Sequence, residues 1–490
     1  MDNVKVFTPD NIVFMMLKYG HYEDDNGIIL HKHVMDNSCG DGAILKIVVL
    51  TYIASFAKKY GGINDTNVND LVRQLSTYIH GIEIEEDLSL QCKNNLNKLV
   101  HSFGLPDIDW DITCADALLC DKYNGKMDYV FGNPPYKNVH NFGENKDLYK
   151  SFTFIDKGMA DLYIVFFEVG FNMLNDKGVM VYITPSSWTT SMAGENLREY
   201  IINNNLLNAV IDFKSDKVFE GATTFTLISC FSKKRGEKNV IVYHGNAKEN
   251  KVNGWCIRPL EKWVIDGKFY FNFDLTHGDI LQKVTSSKFK RYVKVKNGFA
   301  TLKDKLFVIE DLNKSNGLAV KDDNIINVVK ASKNQGKYII YPYDINGNLI
   351  EFENLSKHTQ VYLNNRWEEL SYGEKSDKWW SYGRTQAIND VNKLKISFNN
   401  LFSDKNDIKY KFVKPNEGVY SGYYITADNE KYLHILMMHL PIMGDEFIAY
   451  VKSLGKYKNG GYYTLSSKET ENYLNYKIEQ LYETKAISDF

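Results

Sequence analysis

The 490-residue sequence predicts an α/β fold: a doubly wound, mainly parallel sheet in the first half and an irregular α+β domain in the second. Three observations carry this reading. Apolar strand-like runs alternate with helical patterns from residue 33 to residue 244, the signature of strand–helix–strand units. Several of these runs end in an acid or a glycine turn, as ligand-binding strands of such sheets do. Beyond about residue 250 the alternation fades, and tryptophan, tyrosine and lysine dominate among loops such as Asp344-Ile345-Asn346-Gly347-Asn348. The length alone asks for more than one core.

Expected strands cover 33–36, 77–84, 112–115, 127–132, 178–184, 207–213, 223–232 and 239–244, with helices over Ala43–Lys59 and Leu162–Leu174. The last two strands flank the short turn Lys233-Lys234-Arg235-Gly236-Glu237-Lys238 and read as a hairpin added to the parallel sheet. A boundary is placed near 246–256, giving domains over 1–246 and 257–490.

Composition excludes several classes. With 44% apolar and 24% charged residues the chain has the make-up of a globular protein. No run reaches the ~18 apolar residues of a membrane helix, and the start, Met1-Asp2-Asn3-Val4-Lys5-Val6, has no signal core. Cys39, Cys92, Cys114, Cys120, Cys230 and Cys256 form no C-x-x-C pair. That argues against a zinc ribbon or disulfide framework and suits a reducing cytoplasm. Residues 1–250 carry 24 basic and 32 acidic side chains, net −8, and the remainder 35 and 29, net +6. A basic second half suits a polyanion.

The strongest chemical signal is Asp128-Tyr129-Val130-Phe131-Gly132-Asn133-Pro134-Pro135-Tyr136, a buried strand running into a rigid turn. An aromatic amine is a poor nucleophile because its lone pair is delocalised into the ring. The Asn133 side-chain oxygen and the Pro134 carbonyl offer two fixed acceptors for its hydrogens, drawing the nitrogen towards tetrahedral geometry. Pro135 stiffens the turn, and Tyr136 offers a face for stacking a base.

A second signal is Val34-Met35-Asp36-Asn37-Ser38-Cys39-Gly40-Asp41-Gly42, a strand entering a glycine turn that opens a helix. Its partner is Gly81-Ile82-Glu83-Ile84-Glu85, where a strand-end acid suits ribose hydroxyls. Asp36 and Glu83 lie 47 residues apart, well above the usual ~20, which an inserted segment around Gly61–Leu75 would explain. Thr113-Cys114-Ala115-Asp116-Ala117-Leu118 ends a third strand in an acid, able to accept from an adenine amine or to cap the next helix.

These residues resemble the adenine-specific DNA methyltransferases of the gamma motif order, found in type II restriction–modification systems, over essentially the whole chain. The resemblance implies a Rossmann-like S-adenosylmethionine methyltransferase core followed by an α+β target-recognition domain. Phe7-Thr8-Pro9 resembles the lead-in that touches the cofactor's methionine end. Asp36, Asn37, Ser38, Cys39, Gly40 and Gly42 resemble the cofactor loop, although Asn37 stands where proline is usual and Asp41 where a small residue is frequent. Glu83 resembles the ribose acid and Asp116 the adenine-amine acceptor, with Ile84 and Ala117 beside them among the implied cofactor-binding residues. Asn133 to Tyr136 match the catalytic motif completely, with Asn133 and Pro135 also bordering the cofactor. Asp161-Leu162-Tyr163 followed by Phe166 looks like the helix whose aromatic packs on the cofactor. Gly178 to Pro185, with Trp188, resembles the next family strand and its exit. Val218-Phe219-Glu220-Gly221 resembles the segment whose phenylalanine sandwiches a flipped base against Tyr136. Lys337 to Tyr343, Trp380 to Gln386 and Gly461 to Leu465 are similar to the recognition domain, with Trp379 and Trp380 equally suited to core packing.

The resemblance implies transfer of a methyl group to the N6 amine of a flipped-out adenine in double-stranded DNA. It also implies a monomer in a bacterial or phage-infected cytoplasm, no metal, and a separate restriction endonuclease as a candidate partner. The same motif serves methylation of RNA or of a protein glutamine, and a methylating subunit of a restriction complex is a further alternative. Nuclease-like triplets occur at Glu144-Asn145-Lys146, Glu249-Asn250-Lys251 and Glu483-Thr484-Lys485, but none lies in a nuclease-like strand context.

Overall fold

The computed structural model describes residues 8–23, 27–136, 151–155, 161–214, 216, 218–219, 225–233, 239–249, 251–271, 275–310, 322–371, 377–458 and 460–483. Phe7, the turn 234–238, Glu220, Gly221, Asn250 and the triplet at 144–146 lie outside them, as do Thr484 and Lys485. The chain forms two compact units, Met1–Phe273 and Asp274–Phe490.

The first unit is built on one sheet, whose described strands are β1 (Val34–Asp36), β2 (Ile79–Glu83), β3 (Asp111–Cys114), β4 (Met127–Gly132), β5 (Leu174–Pro185), β6 (Leu207–Asp212), β7 (Thr226–Ser232), β8 (Asn239–Asn246) and β9 (Lys251–Pro259). Their order is β3-β2-β1-β4-β5-β7-β6-β8-β9. From β3 to β5 every pairing is parallel. The chain therefore reverses direction of travel between β1 and β4, and their carboxyl ends frame the crevice where doubly wound sheets bind ligands.

Both faces of the sheet are covered, and the sequence alternates accordingly. Val34, Phe131, Val181 and Ile211 enter one core cluster, while Met35, Val130, Met180 and Val210 enter the other. Helices Asp10–Tyr19 and Ala43–Tyr60 pack in the first cluster, and helix Leu162–Met173 in the second. Helix Ala43–Tyr60 is bracketed by Gly42 (φ 92°) and Gly61 (φ 73°), left-handed positions that glycine takes without penalty. The long span between Asp36 and Glu83 holds a second helix, Val68–Tyr78, which runs straight into β2 and takes the first residues expected of that strand.

The expected hairpin of the two closing strands is not formed. β7 lies antiparallel between β5 and β6, and β8 pairs parallel to β6 on its far side. The burial of β7 explains this: all seven residues of Thr226-Leu-Ile-Ser-Cys-Phe-Ser232 are buried, as a strand covered on both faces must be. The sheet also continues past the texture change near residue 250. β9 pairs with β8 from Lys251 to Pro259, so the first unit ends at 273 rather than at 246.

The second unit is α+β. One antiparallel sheet has the order 293–297, 423–427, 395–398, 410–413, and a mixed sheet the order 308–309, 335–340, 325–330, 418–420. The C-terminal helix Ser467–Glu483 finishes the first sheet's edge with side chains. Asn475 accepts from the Val293 amide at 2.9 Å, and Glu471 from the Val295 amide at 2.9 Å. Tyr341, Tyr343, Trp380 and Tyr382 form a buried aromatic cluster. The Trp380 indole donates to the Ile350 carbonyl at 3.0 Å and the Tyr382 hydroxyl to the Ile340 carbonyl at 2.6 Å. Those aromatics are core residues. Among the described residues no helix is long and apolar enough to cross a membrane.

Candidate active site

Four adjacent parallel strands end at one edge of the sheet, and the residues at or just past their ends are the ones singled out in the sequence. Asp36 closes β1, where it is level with Gly81 of β2 and Phe131 of β4. Glu83 closes β2 beside Cys114 of β3, and Asp116 follows two residues later. Asn133 follows β4 directly.

The loop 37–42 is held from below and from the side. The Gly40 amide donates to the Glu83 carboxylate at 2.8 Å, whose other oxygen accepts from the Glu85 amide at 3.0 Å. The Cys39 amide donates to the Ile82 carbonyl at 3.0 Å, and the Cys39 side chain is buried in the core. A Cβ on Gly42 would meet the Cys92 sulfur at 2.8 Å, so helix Glu86–His101 fits against the loop only because glycine is there. Asn95 on that helix donates to the Asp41 carbonyl at 2.9 Å.

Tyr182 of β5 is a positioning residue that the sequence reading missed. Fully buried, it accepts from the Asn37 amide nitrogen at 2.6 Å and donates to the Phe166 carbonyl at 3.2 Å. It thereby ties the loop to helix Leu162–Met173. Its inward alternation with Val181 and Ile183 along an apolar strand was the available signal. The Phe166 ring is buried in the core.

Asn133 is oriented by two neighbours. Its amide nitrogen donates to the Thr8 hydroxyl at 3.2 Å, and its oxygen accepts from the Tyr136 hydroxyl at 2.7 Å. Pro9 is exposed beside the buried Thr8. The Tyr136 ring packs edge-on to Tyr163, with centroids 6.2 Å apart. Burial raises the Tyr136 hydroxyl well above its ordinary pKa, so it stays a donor. Phe219 is buried in the cluster against which Tyr136 packs. Asp116 accepts from the Leu118 amide at 2.9 Å at the start of a turn over 117–119, so the helix it was expected to cap does not follow it, and Ala117 is buried.

Asp36 is buried, and the loss of water raises its carboxyl to about 7, against the lowering effect of the Ser38 amide. The Glu83 charge nearby raises it further. Three carboxylates on neighbouring strand ends suit a cationic ligand. The Ser38 hydroxyl and the Asn37 side-chain oxygen are buried without a hydrogen-bond partner, while Ile84 stands 64% exposed beside Glu83. Unpartnered polar atoms next to an exposed apolar side chain fit a ligand that is part charged and part flat ring.

Strand order 3-2-1-4-5-7-6 with β7 reversed, and strand-end acids around a glycine loop, define the class: an S-adenosylmethionine-dependent methyltransferase fold. Residues 28–219 match the family model described as Eco57I restriction-modification methylase. S-adenosylmethionine is the methyl donor of that family and fold.

Known relatives agree. The type II restriction enzyme and methyltransferase RM.Eco57I of Escherichia coli is 23% identical, over 87% of this chain and 53% of its own length. The type II methyltransferase M.HindII of Haemophilus influenzae is 21% identical, over 62% of this chain and 65% of that protein. Among solved structures, the type IIL restriction-modification enzyme MmeI in complex with DNA superposes with a TM-score of 0.59. It is 15% identical over 94% of this chain and 63% of that one. A nuclease-deletion mutant of the type ISP enzyme LlaGI, also with a DNA substrate mimic, gives 0.55 at 14% identity over 98% and 47%. The chain thus spans about half the length of RM.Eco57I.

Proposed function

We infer that the chain is a site-specific DNA methyltransferase acting on the N6 amine of adenine. The observation that carries this is Asn133, held at the end of β4 by Thr8 and Tyr136 with its oxygen committed as an acceptor. S-adenosylmethionine supplies an electrophilic methyl group when bound. Asp36, Asn37, Ser38, Cys39, Gly40 and Gly42 bind its methionine end with Thr8 and Pro9. Glu83 accepts from the ribose, Ile84 and Ala117 flank the ring, and Asp116 accepts from the ring amine. Pro135 and Phe166 close the pocket.

The amine of the target base takes the place of the Tyr136 hydroxyl on the Asn133 oxygen and gives its second hydrogen to the Pro134 carbonyl. Both acceptors stabilise the positive charge that grows on nitrogen during transfer. A base inside a duplex cannot reach this crevice, so the adenine must be extruded. Tyr136, once released from Asn133, stacks on one face of the base. Phe219 takes the other face, which requires it to leave the core cluster. Double-stranded DNA is the partner substrate, and a separate cognate endonuclease is the candidate partner protein. Methylation of RNA or of a protein glutamine would use the same acceptors. The names of the relatives and the DNA-bound neighbours favour DNA.

Incubating the protein with labelled cofactor and duplex DNA, RNA or protein pools tests the reading, followed by nucleoside mass analysis of the labelled pool. N6-methyladenine in DNA is the expected product. Label only in RNA or protein would overturn it.

A further inference from the structure

In the second unit, the loop 298–303 is stitched to the segment 383–386. The Gly383 amide donates to the Thr301 carbonyl at 3.1 Å and the Arg384 amide to the Ala300 carbonyl at 3.2 Å. The Gln386 side chain donates to the Gly298 carbonyl at 2.7 Å. Thr301 is buried and accepts from the Lys303 amide at 3.0 Å. From this locked loop Leu302 projects 65% exposed, with a backbone φ of 59°.

That is two unfavourable choices at one residue. A side chain with a Cβ avoids the left-handed region, and a large apolar side chain avoids water. A Cβ on Gly383 would lie 2.4 Å from the Leu302 side chain, so the leucine lies across bare backbone and cannot fold down further there. Arg384, Thr385 and Lys305 are exposed around it. A recess of about 430 Å³ in the same segment is lined by Lys296, Asn297, Thr385, Gln386 and Asn389, and includes Ala387 (φ 70°), which with Leu302 is one of ten non-glycine residues at positive φ among the described residues. Strained non-glycine backbone concentrates where a side chain must be presented.

We propose that Leu302 is a wedge that enters the base stack of bound duplex DNA, with Arg384 holding the neighbouring phosphate. Apolar side chains on a rigid loop unstack a base step in this way, while adjacent cations hold the backbone. The assignment rests on the reading of the chain as a DNA methyltransferase.

The test uses the full chain and duplexes carrying its methylated sequence, mapped by sequencing plasmid DNA from cells that express it. 2-Aminopurine replaces each purine in turn, and its fluorescence rises where stacking is lost. The wild-type protein should brighten the target position and one further step. Leu302→Ala should abolish the second signal and keep the first, with duplex affinity reduced no more than about tenfold. Leu302→Gly, which suits the left-handed backbone, should do the same and guards against misfolding of the alanine variant. A wild-type protein that methylates but brightens only the target, or variants with an unchanged pattern, would overturn the wedge alone. If the wild type methylates no DNA, the functional reading falls with it.

Discussion

At the scale of single residues, binding and transfer should separate. Glu83 is fixed by the Gly40 and Glu85 amides before any ligand arrives. Glu83→Ala should therefore weaken S-adenosylmethionine by about 1–3 kcal/mol, the loss expected of a hydrogen bond to a charged group. Asn133→Ala should abolish transfer and leave that affinity within severalfold, as measured by calorimetric titration. Equal losses in the two variants would refute this division. Asp36 gives a pH signature. Between its ordinary value, about 4, and about 7 the native carboxyl keeps a proton that the unfolded chain releases. Stability of the ligand-free protein should thus fall as pH rises through that window. A cationic cofactor favours the carboxylate, so its affinity should rise from pH 6 to pH 8. Asp36→Asn should flatten that rise, and a variant with the wild-type slope would assign the titration elsewhere.

At the scale of elements, what was legible in the sequence is what local pattern decides. Strands β1 to β6 and helices Ala43–Tyr60 and Leu162–Met173 fall within a few residues of expectation because each carries its own periodicity and stop signal. β7 was found as a strand but given the wrong neighbour, since proximity in sequence suggested a hairpin while double-sided burial decided otherwise. Acidic strand ends marked Asp36, Glu83 and Asp116, yet Tyr182 was passed over because its role depends on a register only the sheet reveals. In the second unit, strand 293–297 pairs with 423–427, far along the chain, so no local pattern announces the sheet. The same pairing logic predicts where the first unit can be cut. A chain ending at 273 keeps β9 on β8, whereas one ending at 246 leaves β8 as an open edge. The shorter chain should melt earlier and aggregate. Equal melting temperatures would mean that β9 contributes little.

At the scale of the whole molecule, charge divides with the units. Residues 1–273 carry 28 basic and 34 acidic side chains and residues 274–490 carry 31 and 27, net −6 and +4. Duplex affinity of the full chain should fall steeply with salt as phosphate contacts release counterions, and a chain ending at 273 should bind cofactor but lose most of that affinity. Titrations at several salt concentrations check both. Duplex binding undiminished by the truncation would place the contacts in the first unit.

The placement of β7 also bears on how the protein is made. β5 is complete at Pro185, but its outer neighbour begins at Thr226, about forty residues later. At the ~5–20 residues per second of synthesis, that leaves an apolar strand edge uncovered for roughly 2–8 s on the ribosome. During that interval any other extended segment can take the position that β7 will occupy. The yield of correctly folded protein therefore depends on how quickly residues 186–225 are translated, a stretch that holds Phe219 but none of the strand-end acids or the Asn133 turn.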